Sequence, residues 1–425
     1  MDMHTTKAGR AATRGRLLTL AAAALCLAGA AAAQESALAY ETAEKAMLAA
    51  NPQAAAALHD LDAARSRFTA ARGGLYPYFS ASASYSRNGD QGSEAYDKYS
   101  YGFSGTQPLF SPAVPAGVRS AEASVRSYES SYDRIASSLR YQLKSVFADI
   151  LNARETIKLS QETLKRRTEN LDLLRLKYQA GRENKAAMLE TEAALKTAQW
   201  QHEKYKKNLR LLERKLNRLL GRPAQAPAPE LGLPQPPEPP EDFAAFAPKL
   251  EKHHSLRSAR SALAVSKASL DSTRSSMLPE ANASGSYKWS GSDWPAAPNS
   301  WSLGASLSLP LFSWGRLSSD LASSKAKLRS SEADLKNAED EVYLAAEDSF
   351  LTWRQARAYM DVAKSSLDAA EARAWLVRKQ YLAGQSSYFE WRNVEEQLIT
   401  EQNQYLSAGR GLILAHAAFV QSLGE

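Results

Sequence analysis

An internal repeat at a nearly constant distance limits the fold of this chain more than any other feature. The tripeptide PLF at 108–110 returns at 310–312, and the tetrapeptide YQAG at 178–181 returns as YLAG at 381–384. The two offsets are 202 and 203 residues. A constant offset between corresponding motifs is typical of a duplicated structural unit. The chain is therefore expected to contain two copies of one fold.

The boundaries of the two copies follow from the composition of the segment between them. Residues 222–242 hold 8 of the 18 prolines, which is typical of an extended, semi-rigid connector. We therefore predict repeat 1 at 34–221, a linker at 222–242 and repeat 2 at 243–425.

Residues 1–33 have the pattern of a secretion signal. Basic residues occur between Lys7 and Arg16, and the apolar stretch that follows ends in small alanines. The pattern predicts export across an inner membrane and cleavage after Ala33. Cys26 is the one cysteine of the chain. Because the bulky Leu25 precedes it, we do not expect this cysteine to carry a lipid.

Four segments alternate between apolar and polar side chains. They are 78–89, 98–110, 279–290 and 300–312. In the last of them, odd positions carry tryptophan, leucine or alanine, and even positions up to 308 carry serine or glycine. Such alternation predicts strands with one apolar and one polar face. Polar loops join the strands in pairs, so each repeat is expected to contain one hairpin.

The remaining long segments are predicted to be helices. They are 113–180, 185–220, 316–383 and 385–423. Apolar residues recur every seven positions, for example at Leu143, Ile150 and Leu171, which predicts left-handed coiled-coil packing. At about 1.5 Å per residue, each of the two longer helices would form a rod of roughly 100 Å.

The hairpins cannot form a stable separate unit, because they have an apolar face and open edges. Serine at every second position cannot fill a dry core, so we expect a barrel with lipid outside and water inside. The strand lengths suit a membrane crossing of about 9–11 residues. Four strands are too few to close a barrel, since the smallest have about eight, so several copies must share one. The alternative is the edge of a soluble sandwich.

Aromatic residues cluster near the hairpin loops, where a membrane interface would lie. They are Tyr85, Tyr99, Tyr101, Trp289 and Trp301. This position predicts that they contact membrane lipid.

Several function classes lack support in the sequence. The chain contains no GxxxxGK, HExxH, CxxC or GxSxG, so we expect neither an enzyme nor a cofactor. His253 and His254 are adjacent, and neighbours in a helix point apart, so no metal site is expected. The net charge of +7 is spread along the helices, which does not favour nucleic-acid binding.

Together these features resemble the TolC family of outer-membrane efflux and secretion channels. The resemblance depends on the order of the signal peptide, the duplicated unit, the hairpins that end in PLF, the long helices and the Tyr-x-x-Gly turns. It implies a mainly helical fold with a β-barrel part, in which a homotrimer shares a twelve-stranded barrel in the outer membrane of a Gram-negative bacterium. Long helices would form a tunnel through the periplasm.

The resemblance also implies how the two copies are used. Barrel strands would continue as tunnel helices at two corners per chain. The corner residues are Pro108, Phe110, Pro310 and Phe312. The implied partners are outer-membrane lipid, a periplasmic adaptor and an inner-membrane pump of the RND or ABC type, with the channel as a passive duct. The alternative is a periplasmic coiled-coil adaptor or scaffold, which would leave the strand hairpins unexplained.

The working end implied by the resemblance is the periplasmic tip. Its turns would contact the adaptor through Tyr178, Gly181, Arg182, Tyr381 and Gly384. A pore constriction would be formed by Glu390, Asn393, Glu190, Glu192 and Glu395. Asn393 stands where the family usually has aspartate. Carboxylates brought together by symmetry would attract cations, and the alternative is that these are solvated charges on helix surfaces.

Overall fold

The computed structural model describes residues 38–89, 92, 94–227, 229, 231–233 and 235–425. The predicted signal peptide at 1–33, with Cys26, lies outside these residues. None of the helices in the described ranges combines the length and the apolar character that a membrane crossing would need.

Each repeat contains two short helices or turns, a strand hairpin and two long helices. Repeat 1 comprises β1 (Leu38–Ala39), α1 (Tyr40–Ala50), α2 (Pro52–Gly73), β2 (Tyr78–Asn88), β3 (Tyr96–Phe110), α3 (Ala113–Gln179) and α4 (Lys185–Leu219). Repeat 2 comprises a 3-10 turn (Ala244–Phe246), α5 (Ala247–Leu250), α6 (His254–Ser275), β5 (Glu280–Gly291), β6 (Asn299–Ser308), α7 (Arg316–Leu382) and α8 (Tyr388–Ser422). Between the repeats, β4 (Leu231–Gly232) pairs in parallel with β1.

The long helices show the duplication directly. The rods α3 and α7 have 67 residues each, and α4 and α8 have 35 residues each. The long helices α7 and α8 each begin 203 residues after their counterparts α3 and α4. The mainly helical fold with a twofold repeat and a four-stranded sheet is therefore confirmed.

The four long strands form one antiparallel sheet in the order β2-β3-β5-β6. Its polar face carries a continuous row of serines across all four strands: Ser80, Ser104, Ser286 and Ser302. The Oγ atoms are 2.9 Å apart in the first pair and 2.9 Å apart in the last pair. The register puts Ala81, Phe103, Tyr287 and Trp301 in the neighbouring row on the other face. The sheet thus separates hydroxyl groups from apolar groups, and β2 and β6 are its two free edges.

The strand predicted at 300–312 is too long, because β6 ends at Ser308. Ser308 pairs with Glu280, the first residue of β5, so nothing lies opposite the residues that follow. Pro310 also lacks the N–H group that a strand ladder needs. The chain instead turns through Trp314 and Gly315, whose φ values are 48° and 80°, and enters α7. In repeat 1, by contrast, β3 continues to Phe110 through an irregularity at Pro108.

The helices form a layer in which α3 is central and α7 is at an edge. Next to the sheet the order is α2-α3-α6-α7, and at the far end it is α4-α3-α8-α7. Hence α3 has neighbours on both sides, and α7 has neighbours on one side within the described chain. Phe147 of α3 and Phe350 of α7, which correspond in the repeat, are both buried in hydrophobic clusters.

Candidate functional site

The two helix hairpins end far from the sheet in turns of the same construction. After α3, Gly181 has φ +67°, and the N–H of Arg182 donates to the carbonyl of Lys177 at 2.8 Å. After α7, Gly384 has φ +77°, and the N–H of Gln385 donates to the carbonyl of Gln380 at 2.8 Å. This six-residue hydrogen bond closes a helix when a glycine adopts the left-handed conformation. Both turns can therefore reverse the chain within a few residues.

Each turn is followed by a side-chain cap on the next helix. Asn184 Oδ1 accepts from the N–H of Ala187 at 2.8 Å, and Ser387 Oγ accepts from the N–H of Glu390 at 3.1 Å. Such caps satisfy backbone donors that have no partner within the helix. The exposed Glu390 carboxylate also accepts a hydrogen bond from Ser386 Oγ at 2.8 Å. Glu390 thus helps to start α8 and still presents its carboxylate to solvent.

The two tip tyrosines have different surroundings. Tyr178 is 39% exposed, whereas Tyr381 is 3% exposed. The Tyr381 ring stacks on Trp391, with the centroids 4.5 Å apart, and Lys177 Nζ lies 3.6 Å from the Tyr381 ring centroid. The Tyr381 hydroxyl donates to Glu183 Oε2 at 3.0 Å. Burial, and then the Glu183 carboxylate, raise the pKa of Tyr381, so this hydroxyl stays protonated as a donor.

Of the predicted constriction residues, Glu190 and Asn393 lie close together between the hairpins, because both contact Arg392. Arg392 Nη1 is 2.8 Å from Glu190 Oε2, and Arg392 Nη2 donates to Asn393 Oδ1 at 3.4 Å. Because Glu190 belongs to α4 and Arg392 to α8, this ion pair links the two repeats at the tip. Glu192 points elsewhere and pairs with Lys196 in the next turn at 3.1 Å.

Glu395 does not fit the expected constriction. It is 5% exposed and lies among packed helices within a single chain. Assembly of further copies can only reduce that exposure. The heptad spacing of α8 explains the position, since the buried residues Trp391, Val394 and Leu398 surround Glu395 on the same helix face. We therefore leave Glu395 out of the exposed acidic set.

The remaining tip residue, Arg182, is exposed immediately after Gly181. With the half-exposed Tyr178 it forms the outer surface of the repeat 1 turn. The equivalent surface in repeat 2 lacks an exposed tyrosine, because Tyr381 is buried. The two turns therefore present different chemistry to any partner.

The aromatic residues predicted near the hairpin loops form a connected set on one end of the sheet. Tyr85 lies 5.0 Å from Tyr99 between ring centroids, and Tyr101 stacks on Trp289 at 5.4 Å. Trp301 is strongly exposed. Trp294 joins this set, with its ring 5.3 Å from that of Tyr101. Sequence reasoning missed Trp294 because it lies in the loop, outside the alternating strands.

A second apolar band lies at the opposite end of the sheet. Leu311, Phe312 and Trp314 are all exposed there, and Trp314 has 91% of its surface accessible. Sequence reasoning treated Phe312 as a corner residue and did not use Trp314. Two apolar bands separated by the strands are typical of a transmembrane barrel.

The helices and loops provide no group of three or more histidine, cysteine, aspartate and glutamate side chains that could hold a metal ion, within the residues that the structure describes.

Solved structures with the same architecture are outer-membrane channels. The CmeC outer membrane channel of Campylobacter jejuni is 15% identical with a TM-score of 0.80, and the match covers 91% of this chain and 85% of that one. The outer membrane protein VceC of Vibrio cholerae is 15% identical with a TM-score of 0.78, covering 91% and 96%. The open state of the MtrE outer membrane channel of Neisseria gonorrhoeae is 19% identical with a TM-score of 0.77, covering 91% and 88%.

The family of the chain follows from a comparison of its sequence with profiles of protein families. A comparison with curated proteins finds no match. The profile of the outer membrane efflux protein family matches residues 43–222 and 249–425, which correspond to the two repeats. These matches favour an exit duct in the outer membrane over a periplasmic adaptor or scaffold. The chain belongs to the outer membrane efflux protein family.

Proposed function

We propose that three copies of this chain form an outer-membrane exit duct that works passively with an inner-membrane pump of the RND or ABC type, through a periplasmic adaptor. The observation that carries this proposal is the sheet, which has one apolar face, one hydroxyl face and two free edges. A sheet of this kind is not suited to water on both of its faces, because one face is apolar. A closed barrel places the apolar face against lipid and the hydroxyl face against water.

Three is the smallest number of copies that gives an open duct. Two copies would supply eight strands, and the interior of such a barrel is just wide enough to be filled by side chains. Three copies supply twelve strands, with β6 of one copy beside β2 of the next. This arrangement removes every free strand edge. A free edge is unfavourable in hydrocarbon because its backbone N–H and C=O groups have no hydrogen-bond partners there.

The helical layer supports the same assembly. On α7, Leu344 and Val362 are exposed although they belong to a rod with a coiled-coil pattern. On α4, at the opposite edge of the layer, Leu189 and Trp200 are exposed. In the proposed trimer the edge with α7 meets the edge with α4 of the next copy. Side chains that are apolar and exposed in one chain are thereby covered.

The tip is the proposed gate and docking end. Glu390, Asn393 and Glu190 would face the constriction, where the three copies would concentrate negative charge, whereas Glu192 is paired with Lys196 on its own helix. The Glu190–Arg392 pair and the Tyr381–Glu183 hydrogen bond hold the two hairpins together, so opening would require breaking them. Tyr178 and Arg182 are the exposed groups that we assign to adaptor contact, with Gly181 and Gly384 shaping the turns.

The first test is the mass of the mature protein after extraction from envelopes in mild detergent. We expect three times the mass of one chain, and conducting pores when that species is added to a planar bilayer. A monomer that leaves the envelope without detergent would contradict the proposed barrel. Nucleotide hydrolysis by the pure protein would contradict a passive role.

The second test concerns the gate. Glu390→Gln keeps an acceptor for Ser386 but removes the negative charge, so we expect lower preference for cations and weaker block by divalent cations. Glu192→Gln is the matched control, because Glu192 is already paired with Lys196. Unchanged selectivity and block in Glu390→Gln would remove this residue from the gate.

A further inference from the structure

The hydroxyl face of the sheet carries few charged side chains, and they are unevenly placed. The strand register puts Lys98, Lys288 and Glu280 on this face, with serine, glycine, threonine, asparagine, proline and tyrosine at the other positions. Lys98 is near the start of β3 and Lys288 is near the end of β5. Both lysines therefore lie toward the hairpin loops, whereas Glu280 lies at the end next to the helices.

The neighbours of each lysine are small. Lys288 is paired with Gly102 on one side and with Ser300 on the other, and Lys98 is paired with Ser86. Gly102 approaches β5 so closely that an added Cβ would lie 2.8 Å from the Cα atom of Lys288. Both lysine side chains are exposed, and neither forms an ion pair with any described residue. Within the described part of the chain, no carboxylate therefore neutralises either ammonium group.

The described acidic groups of the two hairpins lie away from the lysines or are already paired. Glu280 is eight residues from Lys288 along β5, which corresponds to about 26 Å at 3.3 Å per residue. That distance is more than two Debye lengths at physiological salt, where the Debye length is about 8 Å. Asp97 belongs to the opposite face, where it lies 3.9 Å from Arg87 and accepts a hydrogen bond from Tyr85 at 3.0 Å. The acidic loop residues Glu94 and Asp293 lie beyond the strands.

We propose that Lys98 and Lys288 form a cationic collar near the outer end of the lumen that binds multivalent anions, such as polyphosphates and polycarboxylates. The inference rests on the proposed trimer, which brings six ammonium groups around one water-filled path. The surrounding hydroxyl groups can donate hydrogen bonds to an anion, and because they are neutral they do not form ion pairs with the lysines in its place. A ring of like charges in a confined lumen raises the local concentration of counter-ions.

The collar deepens the proposed function, because it gives the duct two ends of opposite sign. The tip would favour cations, and the exit would hold anionic groups of a passing solute. Release to the exterior would then depend on ionic strength outside the cell. A solute with several anionic groups would be delayed at the exit, whereas a neutral solute would pass without retention.

The test is block of single pores in a planar bilayer by inorganic tripolyphosphate, added separately to each side. We expect reversible block from the side of the hairpin loops, weakening as salt rises. In the double variant Lys98→Gln, Lys288→Gln the half-blocking concentration should rise roughly tenfold or more, because most of the attracting charge is gone. Arg87→Gln, which removes a positive charge at a similar height on the lipid face, should leave the block unchanged.

Two results would overturn the collar. Pores of normal conductance that tripolyphosphate blocks equally in the wild type and the double variant would exclude these lysines while leaving the duct intact. Equal loss of block in Arg87→Gln would show a general charge effect instead of a lumenal site. If the protein forms no pores and no trimer, this result contradicts the proposed duct and therefore also the collar.

Discussion

The rods α3 and α7 come from the same repeated sequence pattern but occupy different places in the molecule. Each has 67 residues, yet α3 is covered on both sides and α7 on one. The rod α3 even buries polar residues, as at Ser160, whose hydroxyl lies 2.8 Å from His202 Nδ1 on α4. The rod α7 instead leaves Leu344 and Val362 exposed. The difference shows that the two rods supplied by duplication are not equally covered within one chain, and in the proposed trimer another copy covers α7.

The comparison of the two rods can be tested first at a position where both repeats have the same residue in the same environment. Phe147 and Phe350 correspond and are both buried. We expect Phe147→Ala and Phe350→Ala each to lower the free energy of unfolding by about 3–5 kcal/mol, because each leaves a cavity in a packed core. Urea unfolding in detergent, followed by circular dichroism, measures this. The exposed Phe389 serves as the control, and its change to alanine should cost about 0.5 kcal/mol or less. Clearly unequal losses at Phe147 and Phe350 would contradict equal roles.

The tip tyrosines test where the repeats differ. Tyr381→Ala should cost about 3 kcal/mol, because the ring is packed between Lys177 and Trp391, whereas Tyr178→Ala should cost less than about 1 kcal/mol. The same unfolding measurement applies. Tyr381→Phe keeps the ring and removes the bond to Glu183, so about 1 kcal/mol is expected. A larger loss at Tyr178 than at Tyr381 would mean that the tip is packed differently.

A third difference concerns the residue before each short helix. Asn51 Oδ1 accepts from the N–H of Gln53 at 2.8 Å, and at the corresponding position His253 Nδ1 accepts from the N–H of Ser255 at 3.2 Å. Burial, and then His254, lower the pKa of His253 from 6.5 to about 4. The folded state therefore binds fewer protons than the unfolded state. The stability that His253 contributes is complete above about pH 6.5 and is lost as the pH falls toward 4.

The substitution His253→Asn copies the cap of repeat 1 and should make the protein less sensitive to acid. We expect the fall in melting temperature between about pH 7 and pH 4.5 to become smaller than in the wild type. A part of the fall should remain, because burial also lowers the pKa of His254. As a control, Asn51→Ala should lower stability by about 1 kcal/mol at every pH. An unchanged pH profile in His253→Asn would contradict this role of the cap.

The smallest effect is expected at the link between the two hairpins. The Glu190–Arg392 pair is partly exposed, so Arg392→Gln should change the free energy of unfolding by about 1 kcal/mol or less. If the pair helps to hold the tip closed, the same variant should show more frequent pore openings. Lys196→Gln, which breaks an ion pair within α4 alone, is the matched control. Equal opening frequencies in the two variants would separate the Glu190–Arg392 pair from gating.

Much of the fold could be predicted from the sequence because its signals are local and repeated. Alternation around Trp301 and Ser302 marks the strand faces, and the seven-residue spacing from Leu143 marks the rods. The fold class that these patterns predicted is confirmed, and so are the family and the exit-duct role that the resemblance implied. These patterns can be recognised in the sequence because each of them is determined within a single strand or helix.

The remaining details depend on neighbours that a single helix or strand does not reveal. Heptad spacing gives Tyr178 and Tyr381 the same position, but only Tyr381 faces Trp391 across a packed interface. Glu395 was predicted beside Glu390 because it matches Glu192 in the repeat, although tertiary packing buries Glu395. The end of β6 depends on where β5 begins. The lining of the constriction and the adaptor contacts stay predictions for the same reason.

The free edges of the sheet have a consequence for cells that make two forms of the chain. In the proposed trimer each copy offers β6 to one neighbour and accepts β6 of the other along its own β2. A variant that keeps one sound edge but spoils the other could still join a complex and prevent it from closing. With equal amounts of the two chains, only about one trimer in eight would contain three sound copies. Produced from a plasmid in a cell that also makes the wild-type chain, such a variant would interfere with it, whereas a variant that fails to fold would not.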